Sequence, residues 1–393
     1  MDSSPTMELN PIYARMGVTI FEKMSALCRD GARINLGQGF PDDQGPPELI
    51  DAAARALRDY SNQYPPSLGV PELRDAVAAY YHRAQALSLA RENVLVTSGA
   101  TEAIAASILA VIKPGDEVIV FAPVYDAYAP LIRRAGGVPR FVALKPPHWR
   151  YDRKAIEAQI TPQTRAIIFN DPLNPTGTCA SDDELEMLAS LCRDHDLVAI
   201  CDEVWEAVRF DGKRHRSLLD LPGMGRRTIK IGSAGKIFGV TGWKIGWLCA
   251  SPDITGVLAR AHQFITFTTP PALQYAVAEG LGDDTLIASR RGGWAQSRDV
   301  LNTALAKAGF AALPNGATWF TCIDLPASGI DQSDYAFAEA AVMEGGVATI
   351  PVSAFYEDRA VTSVLRLCHC KAPDTLAEAV RRLSAFRSRL AGL

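Results

Sequence analysis

The sequence predicts an α/β protein with a seven-stranded, mainly parallel sheet. Between residues 92 and 250, short runs rich in β-branched residues alternate with segments of helical spacing, which is typical of βαβ units. The predicted strands cover residues 94–97, 117–121, 138–144, 166–169, 198–201, 228–231 and 245–250. In such sheets ligands bind beyond the carboxyl ends of the strands, so the residues that follow each strand are the candidates for function.

The remaining segments predict further helices and a second, smaller α/β layer. Helical spacing marks residues 46–60, 71–84 and 290–307, and the long segment 255–281 contains a kinked apolar stretch at 264–271 that could pack against a partner subunit. Short strands are expected at 318–323, 347–350 and 363–368. We therefore expect a large domain at residues 46–284 and a small domain at 285–393, which the N-terminal segment 1–45 joins.

Composition and charge favour small-molecule partners. The chain has 393 residues, of which 48% are hydrophobic and 21% charged, as is ordinary for a globular protein. A formal net charge of −4 without runs of like charge argues against nucleic acid and membrane surfaces as partners. The first ten residues hold no apolar run, and no stretch approaches the ~20 apolar residues of a membrane span, so we expect a cytoplasmic protein.

The eight cysteines are scattered along the chain, which favours reduced thiols over a disulfide framework. Cys368-His369-Cys370 is the one cluster with the character of a metal site. Two thiols at i and i+2 of a strand share a face, and without a second pair nearby they are more often packing groups than ligands. We therefore expect no metal.

The stretch Ser233-Ala234-Gly235-Lys236 predicts a cofactor anchor. Three small residues before a lysine let its amine stand in a tight pocket and form a Schiff base with an aldehyde cofactor. Ser233 and Lys244 could both turn toward a phosphate group of that cofactor. Taken alone, the stretch would be interpreted as a glycine-rich loop with solvated lysines, because lysines are usually surface residues.

The first two strands are followed by groups that suit an anion and a planar ring. Ser98-Gly99-Ala100-Thr101 opens a helix whose free N–H groups could bind an anion, although a plain N-cap explains Ser98 or Thr101 equally well. Tyr125 follows the second strand, where its ring could stack on a ligand.

Polar groups also follow the fourth and fifth strands. Asn174 lies in a string of Asn/Asp-Pro steps that turn chemistry would explain, yet it offers an amide at the same edge of the sheet. Asp202 comes directly after the fifth strand, where burial would raise the pKa of its carboxyl group unless a cation faces it. A pyridinium nitrogen would serve as that cation.

Three residues outside these strands carry weaker signals. Gly39 lies in a glycine-rich turn that could expose backbone N–H groups to a ligand carboxylate, and Tyr64 is either a packing aromatic or a phenol that reaches a ligand. Arg366 lies in an apolar strand, where an arginine needs an anion, which can be a structural Asp or Glu or a bound ligand.

The order of these motifs resembles that of the class I aminotransferases of fold type I, which bind pyridoxal 5'-phosphate. The similarity is greatest to the branch that holds kynurenine/glutamine transaminase K and the bacterial methionine and succinyldiaminopimelate aminotransferases. It runs from about Asn35 to the final helix. The motifs are N-L-G-Q-G-F-P-D (35–42), Q-Y-P-P (63–66), T-S-G-A-T-E-A (97–103), P-G-D-E-V (114–118), N-P-T-G (174–177), D-E-V (202–204), G-S-A-G-K (232–236), T-G-W-K-I-G-W (241–247) and I-P-V-S-A-F-Y (350–356). Each is a weak match alone, but nine in the family's order are highly specific.

The resemblance implies a role for each cofactor-binding residue. Lys236 would form the Schiff base and move a proton between the substrate and the cofactor, and Asp202 would keep the pyridine nitrogen protonated. Asn174 would bond the 3-oxygen of the ring, on which Tyr125 would stack. The phosphate would be held by Gly99, Ala100, Thr101, Ser233, Lys244 and Tyr64 of the partner subunit.

The resemblance also implies a substrate site at the interface of a homodimer. Arg366 would clamp the α-carboxylate of the substrate in a two-pronged geometry, helped by the backbone of Gly39 and by Asn174. Phe267 of the partner subunit and Thr268 of the partner subunit would line the side-chain pocket.

Trp205 departs from the family's pattern. Most of the family has a tyrosine three residues after the aspartate, and its phenol donates to the 3-oxygen of the cofactor. An indole N–H is directed differently, and the sequence leaves open whether it reaches that oxygen.

We therefore predict a homodimeric, pyridoxal-phosphate-dependent aminotransferase with ping-pong transfer of an amino group to a 2-oxo acid. The apolar lining and the lack of an obvious second arginine favour neutral donors such as glutamine, methionine and aromatic amino acids. Alternatives are a cysteine-conjugate β-lyase, a succinyldiaminopimelate aminotransferase, and a binding or regulatory protein that kept the fold without the chemistry.

Overall fold

The computed structural model describes residues 9–390. The strands are β1 (Ile34–Asn35), β2 (Val94–Ser98), β3 (Glu117–Ala122), β4 (Val138–Ala143), β5 (Thr164–Asn170), β6 (Val198–Asp202), β7 (Thr228–Ser233), β8 (Ile245–Cys249), β9 (Ala311–Ala312), β10 (Phe320–Asp324), β11 (Val347–Ala348), β12 (Ile350–Pro351) and β13 (Val364–Cys368). The α-helices are α1 (Pro11–Ala14), α2 (Ile20–Ala26), α3 (Pro47–Asp59), α4 (Pro71–Gln85), α5 (Gly99–Val111), α6 (Tyr128–Arg134), α7 (Arg153–Glu157), α8 (Asp182–Asp194), α9 (Ala234–Phe238), α10 (Pro252–Gln263), α11 (Pro271–Leu281), α12 (Asp284–Lys307), α13 (Asp334–Met343) and α14 (Pro373–Leu390). Short 3₁₀ helices lie at Arg91–Asn93, Leu218–Asp220, Thr241–Trp243, Pro326–Ser328 and Val352–Phe355.

The predicted seven-stranded sheet is confirmed. Its strands follow the order β2-β8-β7-β6-β5-β3-β4, and β8 runs antiparallel to both of its neighbours while the other pairs are parallel. The observed strand ends differ from the predicted ones by at most two residues. The apolar runs were sufficient to locate these strands because strands buried on both faces are hydrophobic along their whole length.

Helices cover both faces of this sheet. Val118 and Val120 of β3 pack in the same cluster as Ile104 of α5, whereas Ile119 packs in the cluster that holds Leu188 of α8. Successive side chains of a strand point to opposite faces, so these two clusters are the two sides of the sheet. Within residues 9–390, no helix combines the length and the apolar character that crossing a bilayer requires.

Smaller sheets lie in the C-terminal part of the chain. Four antiparallel strands follow the order β12-β13-β10-β9, and β1 pairs in parallel with β11. The single strand predicted at 347–350 is therefore two strands, because the chain leaves one sheet and enters the other at Thr349.

Two helix predictions also need correction. The segment 255–281 is divided into α10 and α11, and α11 begins at Pro271, which lacks the N–H that a continuing helix would need. The helix predicted at 290–307 begins at Asp284, because the side chain of Asp283 accepts hydrogen bonds from two N–H groups of the first turn.

The strand order brings several chain segments to one edge of the large sheet. The parallel strands β2, β5, β6 and β7 end there with the residues Ser98, Asn170, Asp202 and Ser233. Because β8 runs in the opposite direction, its first residue, Ile245, pairs with Ser98 at the same edge. Lys244, which directly precedes β8, is thereby placed beside the start of α5.

Candidate active site

A cavity of about 440 Å³ opens at this edge of the sheet. It is lined by twelve of the fifteen residues that the sequence predicts for the site, namely Gly39, Gly99, Ala100, Thr101, Tyr125, Asn174, Asp202, Trp205, Ser233, Lys236, Lys244 and Arg366. Side chains and backbone groups of the N-terminal segment, the large sheet and β13 thus line the same cavity.

Lys236 lies in α9, which starts immediately after β7. Its Nζ is 4.9 Å from the centre of the Trp205 ring and 5.1 Å from that of Trp319. Burial among these rings lowers the pKa of the Lys236 amine to about 8. A larger fraction of this amine is therefore neutral and nucleophilic near neutral pH than for an exposed lysine.

Asp202, the last residue of β6, is buried in the floor of the cavity. Its Oδ2 accepts a hydrogen bond from the hydroxyl of Tyr128, and Oδ1 has no partner among residues 9–390. Burial raises the pKa of this carboxyl group. A buried, unpartnered acceptor in a cavity wall fits a ligand that donates a hydrogen bond and carries positive charge.

The start of α5 forms a seat for an anion. Gly99 has φ +70°, and a Cβ placed there would lie 3.4 Å from Nζ of Lys244, so the ammonium group stands beside the first turn. A Cβ on Gly246 would lie 2.8 Å from the backbone N of Ala100, which shows how closely β8 approaches the helix. Free N–H groups, the helix dipole and a lysine together suit a phosphate.

Arg366 enters the cavity from β13 and is almost fully buried. Its Nη1 donates to Asn174 Oδ1 at 3.1 Å, its Nη2 donates to the carbonyl of Gly37, and the Phe320 ring lies 4.0 Å from the guanidinium carbon. Burial lowers the pKa of Arg366 to about 10. No carboxylate among residues 9–390 pairs with it within 4 Å, so the structural ion pair that the sequence left open is not formed.

Trp205 lies in the cavity wall rather than in a remote part of the core. Its ring makes edge contacts with Trp319 and Phe320, at centroid distances of 4.9 and 5.4 Å. The Nζ of Lys236 lies over the same ring, 4.9 Å from its centre. Its contribution to cofactor binding stays a prediction.

Tyr64, Phe267 and Thr268 do not line the cavity of their own chain. The Tyr64 side chain is 84% exposed and makes an edge contact with Phe267, and the Thr268 hydroxyl donates to the carbonyl of Pro66. Tyr64 and Phe267 are exposed and Thr268 is half-buried, and the predicted role of all three depends on a second subunit.

Other residues of the site were not singled out from the sequence. Tyr128 bonds Asp202, the amide of Asn170 donates to the carbonyl of Asp202, and the N–H of Asn174 donates to Asn170 Oδ1. Tyr128 and Asn170 belong to the same strand-end motifs as Tyr125 and Asn174, so their position was a usable signal. Phe320, by contrast, lies in an apolar strand that carries no mark of function.

Glu203, Glu206 and His215 lie close enough together for a metal site outside the cavity, with ligand atoms within 4.8 Å of one another. However, the Nζ of Lys230 donates to both carboxylates and supplies the positive charge. Although burial opposes ionisation, this ammonium group and His215 lower the pKa of Glu203 to about 2. The Lys230 ammonium group thus occupies the place beside both carboxylates that a metal ion would need, and the absence of a metal stays a prediction.

Comparisons with known proteins agree with this geometry. Residues 32–383 match the sequence profile of the family Aminotransferase class I and II. The chain belongs to this family. It is 37% identical over 372 residues to the methionine aminotransferase of Escherichia coli, covering 94% of this chain and 96% of that protein. It is 33% identical over 393 residues to human kynurenine--oxoglutarate transaminase 1, covering 91% and 93%. The solved structure of N-succinyldiaminopimelate aminotransferase from Mycobacterium tuberculosis superposes with a TM-score of 0.92 at 40% identity, covering 96% of this chain and all of that one.

The protein is thus an aminotransferase with pyridoxal phosphate as its cofactor, and the residues of this chain fit that group. The free Oδ1 of Asp202 suits the ring nitrogen, the seat at Gly99 and Lys244 suits the phosphate, and Lys236 offers an amine of lowered pKa for the aldehyde. The predicted family, fold, enzyme class and cofactor are confirmed.

Proposed function

We propose that this aminotransferase takes neutral amino-acid donors, namely glutamine, methionine and aromatic amino acids. The observation that carries the proposal is the set of charges in the cavity. Among the described lining residues, the only cations are Lys236, Lys244 and Arg366. Each has a task in binding the cofactor or the α-carboxylate, so none of these three lining cations is left to pair with a second carboxylate on the donor.

The other residues of the cavity wall support the same choice. Phe21, Phe40 and Phe320 line it and offer apolar contact, while the carboxyl group of Asp126 also lies there. A carboxylate in the wall disfavours aspartate and glutamate as donors by like-charge repulsion and accepts hydrogen bonds from an amide or an aromatic amine.

We assign the binding roles to residues as follows. Arg366 and Asn174 hold the α-carboxylate of the substrate, with Gly39 beside them, and Tyr125 packs on the face of the ring. The phosphate is held by the N–H groups of Gly99, Ala100 and Thr101 and by the side chains of Ser233 and Lys244.

The catalytic work falls to two side chains. When bound, pyridoxal phosphate supplies an aldehyde carbon and a ring that accepts electrons. Lys236 would take the proton from the α-carbon of the substrate and pass it to the cofactor, and its pKa of about 8 suits an amine that both accepts and donates a proton near neutral pH. Asp202 would hold a proton on the ring nitrogen, and the Tyr128 hydroxyl, which donates to its carboxylate, would keep that carboxylate oriented. The indole of Trp205 and the other aromatic rings exclude water from the reacting atoms.

We further propose a homodimer in which each subunit completes the other's cavity. Large apolar side chains are exposed around residues 57–64 and 264–267, including Tyr64 at 84% and Phe264 at 87%. Monomeric proteins rarely expose contiguous apolar patches of this kind. In the dimer, Tyr64 of the partner subunit would reach the phosphate, and Phe267 of the partner subunit and Thr268 of the partner subunit would line the donor pocket.

The division into a domain at residues 46–284 and another formed by 1–45 with 285–393 stays a proposal. It is supported by the parallel pairing of β1 with β11, which ties the N-terminal segment to the C-terminal part. The cytoplasmic location also stays a prediction.

A panel of donors and acceptors tests the proposed specificity. Purified enzyme is assayed with glutamine, methionine, phenylalanine, kynurenine, aspartate and glutamate, each against several 2-oxo acids. We expect kcat/KM to be at least about tenfold higher for the neutral donors, since one unfavourable charge contact is worth about 1.4 kcal/mol or more. Equal or higher values for aspartate would refute the proposal. Cysteine conjugates without an acceptor give the β-lyase control, because elimination alone releases pyruvate and ammonia.

A second candidate donor is N-succinyldiaminopimelate, favoured by the similarity to the Mycobacterium tuberculosis enzyme of that name. Its remote carboxylates need cations that the described cavity of one chain does not supply, so the partner subunit would have to provide them. Including this compound in the panel decides between the two candidates, since it would exceed every neutral donor in kcat/KM if it is the true substrate.

A further inference from the structure

Two cysteines lie next to the active site without belonging to it. The Sγ atoms of Cys368 and Cys370 are 3.2 Å apart, and both residues are buried. His369 between them has its Nδ1 3.5 Å from the Thr321 hydroxyl and its ring beside Phe210. The imidazole therefore occupies separate surroundings, and the two sulfur atoms are turned toward each other.

Lys371, which pairs with Asp42, and Arg366 place positive charge near this pair of sulfurs. Burial opposes ionisation, but the hydrogen bond from Cys370 and the charges of Lys371 and Arg366 hold the pKa of Cys368 below its ordinary value. The pKa of Cys370 is raised, chiefly by burial and also by its hydrogen bond to Cys368. The arrangement favours loss of one proton from the pair, and the hydrogen bond between the two sulfurs lets either of them hold the remaining proton.

The pair lies between the active site and a second cavity. Cys370 lines that cavity, of about 380 Å³, together with Trp294 and Lys371. The Trp294 ring is 5.1 Å from that of Trp319, whose ring is in turn 5.1 Å from Nζ of Lys236. A small molecule in the second cavity would thus meet Cys370 without passing the substrate site.

We propose that Cys368 and Cys370 form a redox-active dithiol, which a small hydroperoxide converts into a disulfide, and that Lys236 senses the conversion. After the shared proton passes from Cys370 to Cys368, the Cys370 thiolate, which lines the second cavity, attacks a peroxide oxygen. The O–O bond breaks, and the alkoxide or hydroxide that leaves takes a proton from solvent to become an alcohol or water. The resulting Cys370 sulfenic acid condenses with the Cys368 thiol, so that an S–S bond forms and a water molecule leaves. The two sulfurs lose two electrons, which reduce the peroxide. The sulfur atoms need to approach from 3.2 Å to about 2.05 Å.

The disulfide changes the charge that the active-site lysine experiences. Negative charge on Cys370 or Cys368 raises the pKa of Lys236, against the larger effect of burial. Oxidation removes this charge, so the pKa of the Lys236 nitrogen falls. This link between the disulfide and Lys236 rests on the cofactor-binding role proposed for Lys236.

Mass spectrometry of the holoenzyme tests the disulfide itself. The protein is treated with hydrogen peroxide, denatured and alkylated with iodoacetamide, and the peptide with residues 368–370 is analysed. We expect it to lose two hydrogen atoms and resist alkylation, and to regain both thiols after dithiothreitol. Cys322 is the internal control, because it is buried in the neighbouring strand and its Sγ bonds the Pro175 carbonyl instead of a thiol. Alkylation of Cys368 and Cys370 to the same extent as Cys322, or stepwise oxidation without an S–S bond, would overturn the proposal.

Absorbance of the bound cofactor tests the link to Lys236. Peroxide should lower the pH midpoint of the visible absorbance in the wild type and in Cys322→Ser, but not in Cys370→Ser. A disulfide that leaves the midpoint unchanged would overturn the link. Absence of any absorbance from a cofactor on Lys236 would instead refute the assigned role of the lysine, while the mass measurement stands independently.

Discussion

Replacing Arg366 by lysine should weaken every amino-acid donor by a similar factor. The guanidinium carries five N–H groups, of which one donates to Asn174 Oδ1 and one to the Gly37 carbonyl. Three remain for the substrate, whereas an ammonium that kept both protein contacts would have a single N–H left. The lost hydrogen bond to a charged group costs about 1.5–3 kcal/mol, which corresponds to about a 10- to 150-fold drop in kcat/KM.

The assay compares kcat/KM of the wild type and Arg366→Lys for glutamine, methionine and phenylalanine. Because the clamp contacts the α-carboxylate that all donors share, the three ratios should agree within about threefold, while the cofactor absorbance stays normal. Arg298→Lys is the matched control, since Arg298 packs on the Phe210 ring at 4.8 Å and pairs with Asp299 outside the cavity. Loss confined to one donor would refute the assignment in favour of side-chain recognition.

Stability distinguishes the clamp from a structural ion pair. Removing one member of a buried pair typically costs about 3–5 kcal/mol of unfolding free energy, because the other charge is left uncompensated. Arg366 has no carboxylate partner among residues 9–390, so Arg366→Met should cost much less in the apoenzyme. A loss of the full amount in urea unfolding would contradict the proposed role.

Further outcomes follow from the same site and from the ion network beside it. Lys236→Ala should lose covalent cofactor and transamination together, and a variant with near wild-type turnover would refute the role of this amine. Asp202→Asn should still bind the cofactor but lose most activity, because an amide does not keep the ring nitrogen charged; unchanged kcat would contradict this. Trp205→Tyr should lower the pH midpoint of the cofactor absorbance. A phenol can donate a hydrogen bond to the 3-oxygen of the cofactor, and its ring attracts the Lys236 cation less than an indole does. An unchanged or higher midpoint in a spectroscopic titration would show that this residue does not tune the cofactor. Lys230→Met should lower the unfolding free energy by about 3–5 kcal/mol, since two buried carboxylates lose their cation. The contribution of Glu203 to the free energy of unfolding should be present above the ordinary pKa of a glutamate and lost as the pH falls toward 2, because the pKa of Glu203 in the folded protein is lowered to about 2. Urea titrations across that pH range that show no such loss would contradict this prediction.

The sequence by itself determined the large sheet and most of the site. Strands buried on both faces need continuous apolar runs, so all seven were visible with ends correct to within two residues. Motifs at the ends of parallel strands necessarily come to one edge, which is why the strand pattern alone predicts that Asp202 and Ser233 lie near each other. The order of nine motifs supplied the family, and the family supplied the cofactor.

The sequence could not determine which contacts are completed by distant segments. The pairing of β8 against its neighbours, which brings Lys244 beside Gly99, depends on strand order, and strand order is a long-range property. The split of residues 347–350 between two sheets likewise depends on which partner strand each half meets. The hydrophobic pattern of a strand shows that the strand is buried, but it does not show which other strand it pairs with. The partners of β8 and of the two halves of 347–350 were therefore not predictable from it.

Tertiary structure alone decided the state of the charged groups. From the sequence, Arg366 had two possible anions, a structural carboxylate or a ligand, and only the folded chain shows that no described carboxylate reaches it. Nothing in the sequence predicted an ion pair for Glu203 or Glu206, yet Lys230 from the adjacent strand β7 places an ammonium group between them. The ionisation of a buried group depends on its distance to opposite charges and on its removal from water, and both are fixed by packing rather than by neighbours in sequence.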